Sequence, residues 1–255
     1  MEFVLNYAWI EAVMLSGVRM VAFIVIAPPF SYNAIPLRIK GMLAVAFALA
    51  MSPRTTVGYV SQDTAGFVGA LILEVLVGAV LGFLVYVVFA AVQAAGGLID
   101  MFSGFQMAQG FDPQSMVNGA QFTRLFQMTA LALMFASGAY QLIIGGLVRS
   151  FTALPLGGGI DLAEPAQALI AAVSQMFLAA VQIAGPLLVV LFLADAGLGL
   201  LTRVAPALNA FALGFPLKIL ITLALAATVF VALPQIVASL TGQALDALMG
   251  VEQNG

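Results

Sequence analysis

Five charged residues stand inside or beside apolar runs of this sequence: Glu11, Arg19, Glu74, Asp195 and Lys218. On insertion scales a charge at the centre of a membrane helix costs about 2.5–3.5 kcal/mol. Residues placed there at such cost can relay protons or ions. They can equally face partner subunits or a watery seam, and Glu11 and Lys218 lie close enough to the ends of their runs to snorkel toward water. With Arg203, the residues Arg19, Glu74, Asp195 and Lys218 are candidates for charge buried at subunit contacts. Neither Glu74 nor Asp195 has a second carboxylate close in sequence, which weighs against a relay. Catalysis finds little material. The chain has no Cys and no His, so thiolate chemistry and the commonest general base and metal ligand are missing. A Ser nucleophile would lack its imidazole base. Asp100 and Asp195 carry no surrounding motif that would mark an aspartyl dyad, and the acidic residues are too scattered for a metal. No enzyme activity, metal or cofactor is expected.

The second candidate is GFQMAQGFDPQSMVNGAQ, residues 104–121, which holds four Gln, one Asn, three Gly and a single charge, Asp112. Its residues of interest are Gly104, Phe105, Gln106, Met107, Ala108, Gln109, Gly110, Phe111, Asp112, Pro113, Gln114, Ser115 and Met116. Met and Phe recur here without the i, i+3, i+4 spacing of a core helix, and Gly104, Gly110, Pro113 and Gly119 interrupt regular structure. The pattern allows an external loop or an irregular segment lining a cavity. At membrane depth such backbone is tolerated only when it is enclosed by protein or faces water.

The elements that must position these residues are read from composition. Of 255 residues, 63% are hydrophobic and 7% charged, with a mean hydropathy of +1.14. A soluble domain carries roughly 25% charged residues, so the chain is expected to be an all-α integral membrane protein. The net charge of −3 gives no surface for nucleic acid. The first apolar run has an acidic first charge and no small-residue cleavage site, so it is expected to stay in the mature protein. Six apolar runs stand at about 7–28, 41–51, 67–95, 122–147, 166–194 and 207–233. They are continuous rather than alternating, which points to helices and away from a membrane barrel. The second run, 13 residues between Lys40 and Arg54, gives about 20 Å of helix against a hydrocarbon core of ~30 Å. It is not expected to cross simply. APPFSYNAIPLRIK before it reads as a rigid hairpin corner, because its prolines fix the backbone.

Gly78 and Gly82 form a GxxxG that suits close helix contact. IPLRIKGMLAVAFALA (35–50) and FPLKILITLALAATVF (215–230) echo one another from a shared Pro-Leu-basic-Ile start. The echo is chance between two aliphatic helices, or both stretches are helix starts with Pro in the first turn. Alternating six spans places Arg38, Lys40, Arg124 and Arg203 on one side and Arg54 and Arg149 on the other, which sets both termini outside the cytoplasm.

RMVAFIVIAPPFSYNAIPLRIKGMLAVAFAL (19–49), GGLIDMFSGFQMAQGFDPQS (96–115), LPLGG (154–158) and GLLTRVAPALNAFALGFPLK (199–218) together resemble the FliR family. That is the flagellar biosynthetic export-gate family, whose virulence counterpart in type III secretion is the SctT family. The resemblance implies one export-gate membrane domain over 1–255, of about six helices in helical hairpins. It would assemble with FliP-like and FliQ-like membrane subunits into a helical complex that conducts unfolded flagellar proteins. FlhB-like and FlhA-like export components are the further partners implied. The setting would be the bacterial inner membrane, with part of the assembly raised toward the periplasm. By the same resemblance, 104–120 is a plug inside the closed channel, with Gly104, Phe105, Ala108, Asp112 and Pro113 matching the family pattern. Two rivals stand beside this reading: a small-solute or ion transporter, for which the internal echo is the support, and a scaffold whose polar loop faces water.

Overall fold

The buried residues of α1 (Tyr7–Ile26) are Glu11, Ala12, Leu15, Ser16, Arg19, Met20, Phe23 and Ile24. Steps of one, three and four residues trace a single stripe on a helix of 3.6 residues per turn, so the first apolar run folds with one face inward. The computed structural model describes residues 7–32, 34–105, 121–158, 163–205 and 210–250. In it α2 (Leu37–Thr55) buries Lys40, Ala44, Ala48 and Ser52 at steps of four. It packs against α1 as the second arm of a hairpin. At the corner the Lys40 ammonium donates to the Ser31 carbonyl at 2.9 Å.

The remaining helices are α3 (Thr64–Ser103), α4 (Gln121–Ala136), α5 (Ala139–Ala153), α6 (Ala163–Val204) and α7 (Ala210–Gly250). Among the described residues every regular element is a helix. Four helices are long and apolar enough to cross a membrane, or five if the bent pair α4 and α5 counts as one span. The chain is an all-α integral membrane protein.

The expected GxxxG makes a helix contact. A Cβ added at Gly78 would lie 2.3 Å from the Arg19 carbonyl oxygen, and one at Gly82 would lie 3.1 Å from the Phe23 carbonyl oxygen. The two glycines let α3 lie directly on the α1 backbone.

Three expectations change. The six runs become seven described helices, because the run at 122–147 breaks into α4 and α5. Gly138 makes that break with φ +74°, a left-handed value that costs glycine no Cβ clash. The second run grows to 19 residues, since Arg38, Lys40 and Arg54 extend the helix without extending its apolar stretch. α2 is accordingly absent from the four membrane-length helices. The echo of IPLRIK and FPLKIL is not structural. Pro36 is the N-cap of α2, whereas Pro216 lies inside α7, where it removes a helix hydrogen bond.

By compactness the chain divides into two units. One comprises Met1–Val87, Gly138–Val173 and Thr241–Gly255, and the other Val88–Ser137 and Ser174–Leu240. Leu15, Met20, Phe23 and Ile24 of α1 centre the core of the first. The core of the second gathers Val92 and Ile99 of α3, Phe126 and Met134 of α4, Leu187 and Leu191 of α6, and Leu233 of α7.

Candidate functional site

The polar stretch is rooted in the second unit by two helix ends that hold each other. At the first root α3 ends in Ile99, Asp100 and Ser103, all fully buried, followed by Gly104 at φ +84°. A Cβ at Gly104 would sit 2.6 Å from the Phe215 ring. Both its backbone angle and its neighbour therefore require glycine. Phe105 then turns inward and begins a line of aromatic rings. Its centroid is 5.5 Å from Phe122, Phe122 is 6.1 Å from Phe126, and Phe126 is 5.4 Å from Phe230 of α7, each pair edge to face. Such pairs contribute about 0.5–1.5 kcal/mol beyond the area they bury.

At the second root stands the described start of α4, at Gln121. Its first N–H groups need partners from elsewhere. Asp100 supplies them. The Phe122 N–H donates to Asp100 Oδ1 at 3.0 Å, the Thr123 N–H to Oδ2 at 2.9 Å, and the Thr123 hydroxyl to Oδ2 at 3.1 Å. The carboxylate sits in the last turn of α3, the wrong end of its own helix dipole, and at the favourable end of α4. Hydrogen bonds to a charged group contribute about 1.5–3 kcal/mol each. The helices come this close because residue 96 is glycine: a Cβ there would lie 2.6 Å from Thr123 Cα.

Of the thirteen loop candidates, Gly104 and Phe105 are described. Gln106, Met107, Ala108, Gln109, Gly110, Phe111, Asp112, Pro113, Gln114, Ser115 and Met116 lie outside the described residues.

The charge candidates pair off. In the first unit Arg19 forms a two-pronged ion pair with Glu74, through Nε to Oε2 and through Nη2 to Oε1 at 3.0 Å. Its remaining N–H groups donate to the Ser150 carbonyl at 3.0 Å and the Leu154 carbonyl at 2.9 Å. The guanidinium also stands 4.3 Å over the Phe151 ring. Arg19 thus joins α1, α3 and the C-terminal end of α5, where unpaired carbonyls and the dipole favour a cation. Glu11, the fifth charge, accepts bonds from the Ser61 hydroxyl at 3.0 Å and the Tyr59 hydroxyl at 3.2 Å. Those bonds tie the α2–α3 connection to α1. In the second unit Lys218 Nζ reaches Asp195 Oδ1 at 2.6 Å. Arg203 is exposed on the last turn of α6, again complementing a helix end.

A family model described as "Bacterial export proteins, family 1" matches residues 10–244. The chain belongs to that family. Among its relatives, the flagellar biosynthetic protein FliR of Escherichia coli K12 is 32% identical over 220 residues, covering 86% of this chain and 84% of that protein. FliR of Bacillus subtilis 168 is 31% identical over 220 residues, covering 83% of each. The Yop proteins translocation protein T of Yersinia pestis is 31% identical over 151 residues, 57% of this chain and 56% of that protein.

In this bacterial export protein the two loop roots and both ion pairs fall inside the matched region. Among the described residues no group of three or more acidic side chains is placed to hold a metal ion. Sequence reasoning missed Asp100 as a functional residue. A signal was present: an acidic residue closing an apolar helix, with another helix starting some twenty residues on.

Proposed function

We propose that this protein is a FliR-type subunit of a flagellar type III export gate. It assembles with FliP-like and FliQ-like membrane subunits, works beside FlhB-like and FlhA-like export components, and helps form the channel for unfolded flagellar proteins across the bacterial inner membrane. The chain acts as one gate module over 1–255, and its polar stretch at 104–120 is the plug of the closed channel.

One observation carries this reading beyond family membership. α3, α6 and α7 have 40, 42 and 41 residues, about 60 Å of helix each at ~1.5 Å per residue. The hydrocarbon core is ~30 Å thick. Apolar side chains stay exposed along α6 from Ile170 through Phe177, Val189 and Phe192 to Leu200 and Val204. A single bilayer covers half such a length, and the rest requires neighbouring apolar subunits, as a gate raised from the membrane plane provides. The flagellar assignment is supported by the FliR relatives, which align over more than four fifths of the chain. The Yersinia relative, from a translocation system, supports a virulence gate as the second reading.

The uncharged character of the stretch suits passage of varied polypeptides, because a fixed strong charge would retain substrates of one sign. Deleting 104–120 is expected to leave assembly with the partner subunits intact and to make the membrane leak small solutes. An unchanged ion barrier in the assembled deletion gate removes the plug.

A further inference from the structure

We infer that the outward face of α2 binds anionic phospholipid, with acyl chains along its apolar stripe and a headgroup phosphate at Arg38 and at Arg54. The inference goes beyond export-gate membership, since it names a part of the chain that stays in lipid, and it rests on the first unit alone. α2 buries one face at steps of four and leaves Met42, Val45 and Leu49 exposed on the other. Arg38 and Arg54, both exposed, bracket that stripe. Leu37–Thr55 contains no acidic residue, and among the described residues neither arginine is ion-paired. Lys40, the third cation of α2, is buried and donates to the Ser31 carbonyl instead. The face turned outward is apolar in the middle and cationic at both ends. A lipid, with its apolar chain and its phosphate, complements both features.

The spacing fits the same occupant. α1 is one of the four membrane-length helices, and α2 runs back along it. Lys40 reaches the corner at Ser31, and a Cβ at Gly17, midway along α1, would lie 3.8 Å from the Ala48 Cβ. Both arms of the hairpin therefore lie in the same slab. From Arg38 to Arg54 the helix advances about 24 Å at ~1.5 Å per residue, short of a hydrocarbon core of ~30 Å. Extended guanidinium arms make up that shortfall by snorkelling outward, which sets one cation at each headgroup layer. Arg38 also stands in the first turn of α2, where the helix dipole disfavours a cation. An anionic headgroup there offsets both positive charges.

The chain lacks Cys, so one fluorescent label on Met42→Cys or on Leu49→Cys reports without background. The full chain, purified with the membrane subunits it retains, is placed in mixed vesicles of phosphatidylglycerol and phosphatidylcholine, with one lipid or the other brominated on its acyl chains. Both labels are expected to be quenched, and more by brominated phosphatidylglycerol. Arg38→Gln read at Met42, and Arg54→Gln read at Leu49, are each expected to lower that preference about fivefold, as the attraction of one basic residue to an anionic surface implies. Arg38→Lys keeps the charge and is expected to keep the preference. The preference is a ratio within one sample, so a variant that assembles less well still reports it. A label that neither lipid quenches means that a protein subunit covers α2, which overturns the proposal. Equal quenching by the two lipids, or a preference unmoved by both glutamine variants, overturns it as well. None of these outcomes depends on the 104–120 deletion, so the gate reading stands or falls separately.

Discussion

The Arg19–Glu74 pair and the Asp195–Lys218 pair use the same kinds of charge and are completed in different ways. The first is enclosed, with side-chain exposures of 1% and 3%; the second is open, at 16% for Lys218 and 47% for Asp195. Arg19 distributes its donors over Glu74 and two carbonyls at the end of α5, so its desolvation is offset within the chain. The half-exposed Asp195 lies on a helix whose neighbouring Phe192 and Leu193 are themselves exposed. Its desolvation is left to the surroundings. One pair fixes the first unit whatever lies outside it, and the other has a geometry that depends on what covers α6 and α7. An oily chain can thus use charge to finish a fold or to require a neighbour.

The sharpest way to break the comparison is to cut the enclosed pair. Glu74→Gln or Arg19→Met leaves a buried charge without its partner, a loss of about 3–5 kcal/mol. Thermal unfolding of the detergent-purified protein measures it. The double variant Arg19→Met/Glu74→Leu is expected to recover part of the loss. Recovery stays incomplete because the Ser150 and Leu154 carbonyls no longer receive the guanidinium. A double variant no more stable than either single one would falsify the view that the two charges are each other's main partners.

These pairs also show how far the sequence is readable. Composition and continuous apolar runs gave the all-α membrane class, because charge content and run length are local properties. The FliR-like stretches gave the family. The five charges were visible as anomalies, but their partners were not. Arg19 and Glu74 are fifty-five residues apart, and Ser150 and Leu154 contribute backbone oxygens that no side-chain pattern marks. Gly78 and Gly82 were readable as a close-contact motif, yet not that α1 was the helix they meet. The break at Gly138 was hidden because an isolated glycine in an apolar run is compatible with unbroken helix. Asp100 was hidden for a related reason: its partners are N–H groups, which every residue but proline possesses. Of the polar stretch, the root at Gly104 and Phe105 is described and the remainder rests on resemblance.

The open pair supplies the next contrast. Asp195→Asn is expected to cost the isolated chain no more than about 1 kcal/mol, because a carboxylate nearly half exposed is screened by solvent. If α6 is covered by another apolar subunit, the same substitution costs the assembly more, since the lost pair is then desolvated. Comparing the unfolding of the purified chain with the dissociation of the assembled complex separates the two. Equal small losses in both would place Asp195 away from any subunit contact.

The smallest expected effect lies at Glu11, intermediate between the two pairs. Tyr59, in the connection between α2 and α3, has its phenol pushed up to about 12, first by burial and then by the hydrogen bond to Glu11 and the charges of Glu11 and Glu74. An acid whose folded value exceeds its unfolded value of about 10 binds more protons when folded. Its contribution is whole below pH 10 and is lost as the pH rises toward 12. Ultraviolet titration of the parent against Tyr59→Phe isolates this phenol from the other tyrosines. Glu11→Gln is expected to lower the midpoint only part of the way, since burial, the larger cause, remains. A midpoint unmoved by Glu11→Gln means that the carboxylate does not hold the connection, and that α1 meets α3 through Arg19 and the two glycines without help from Glu11.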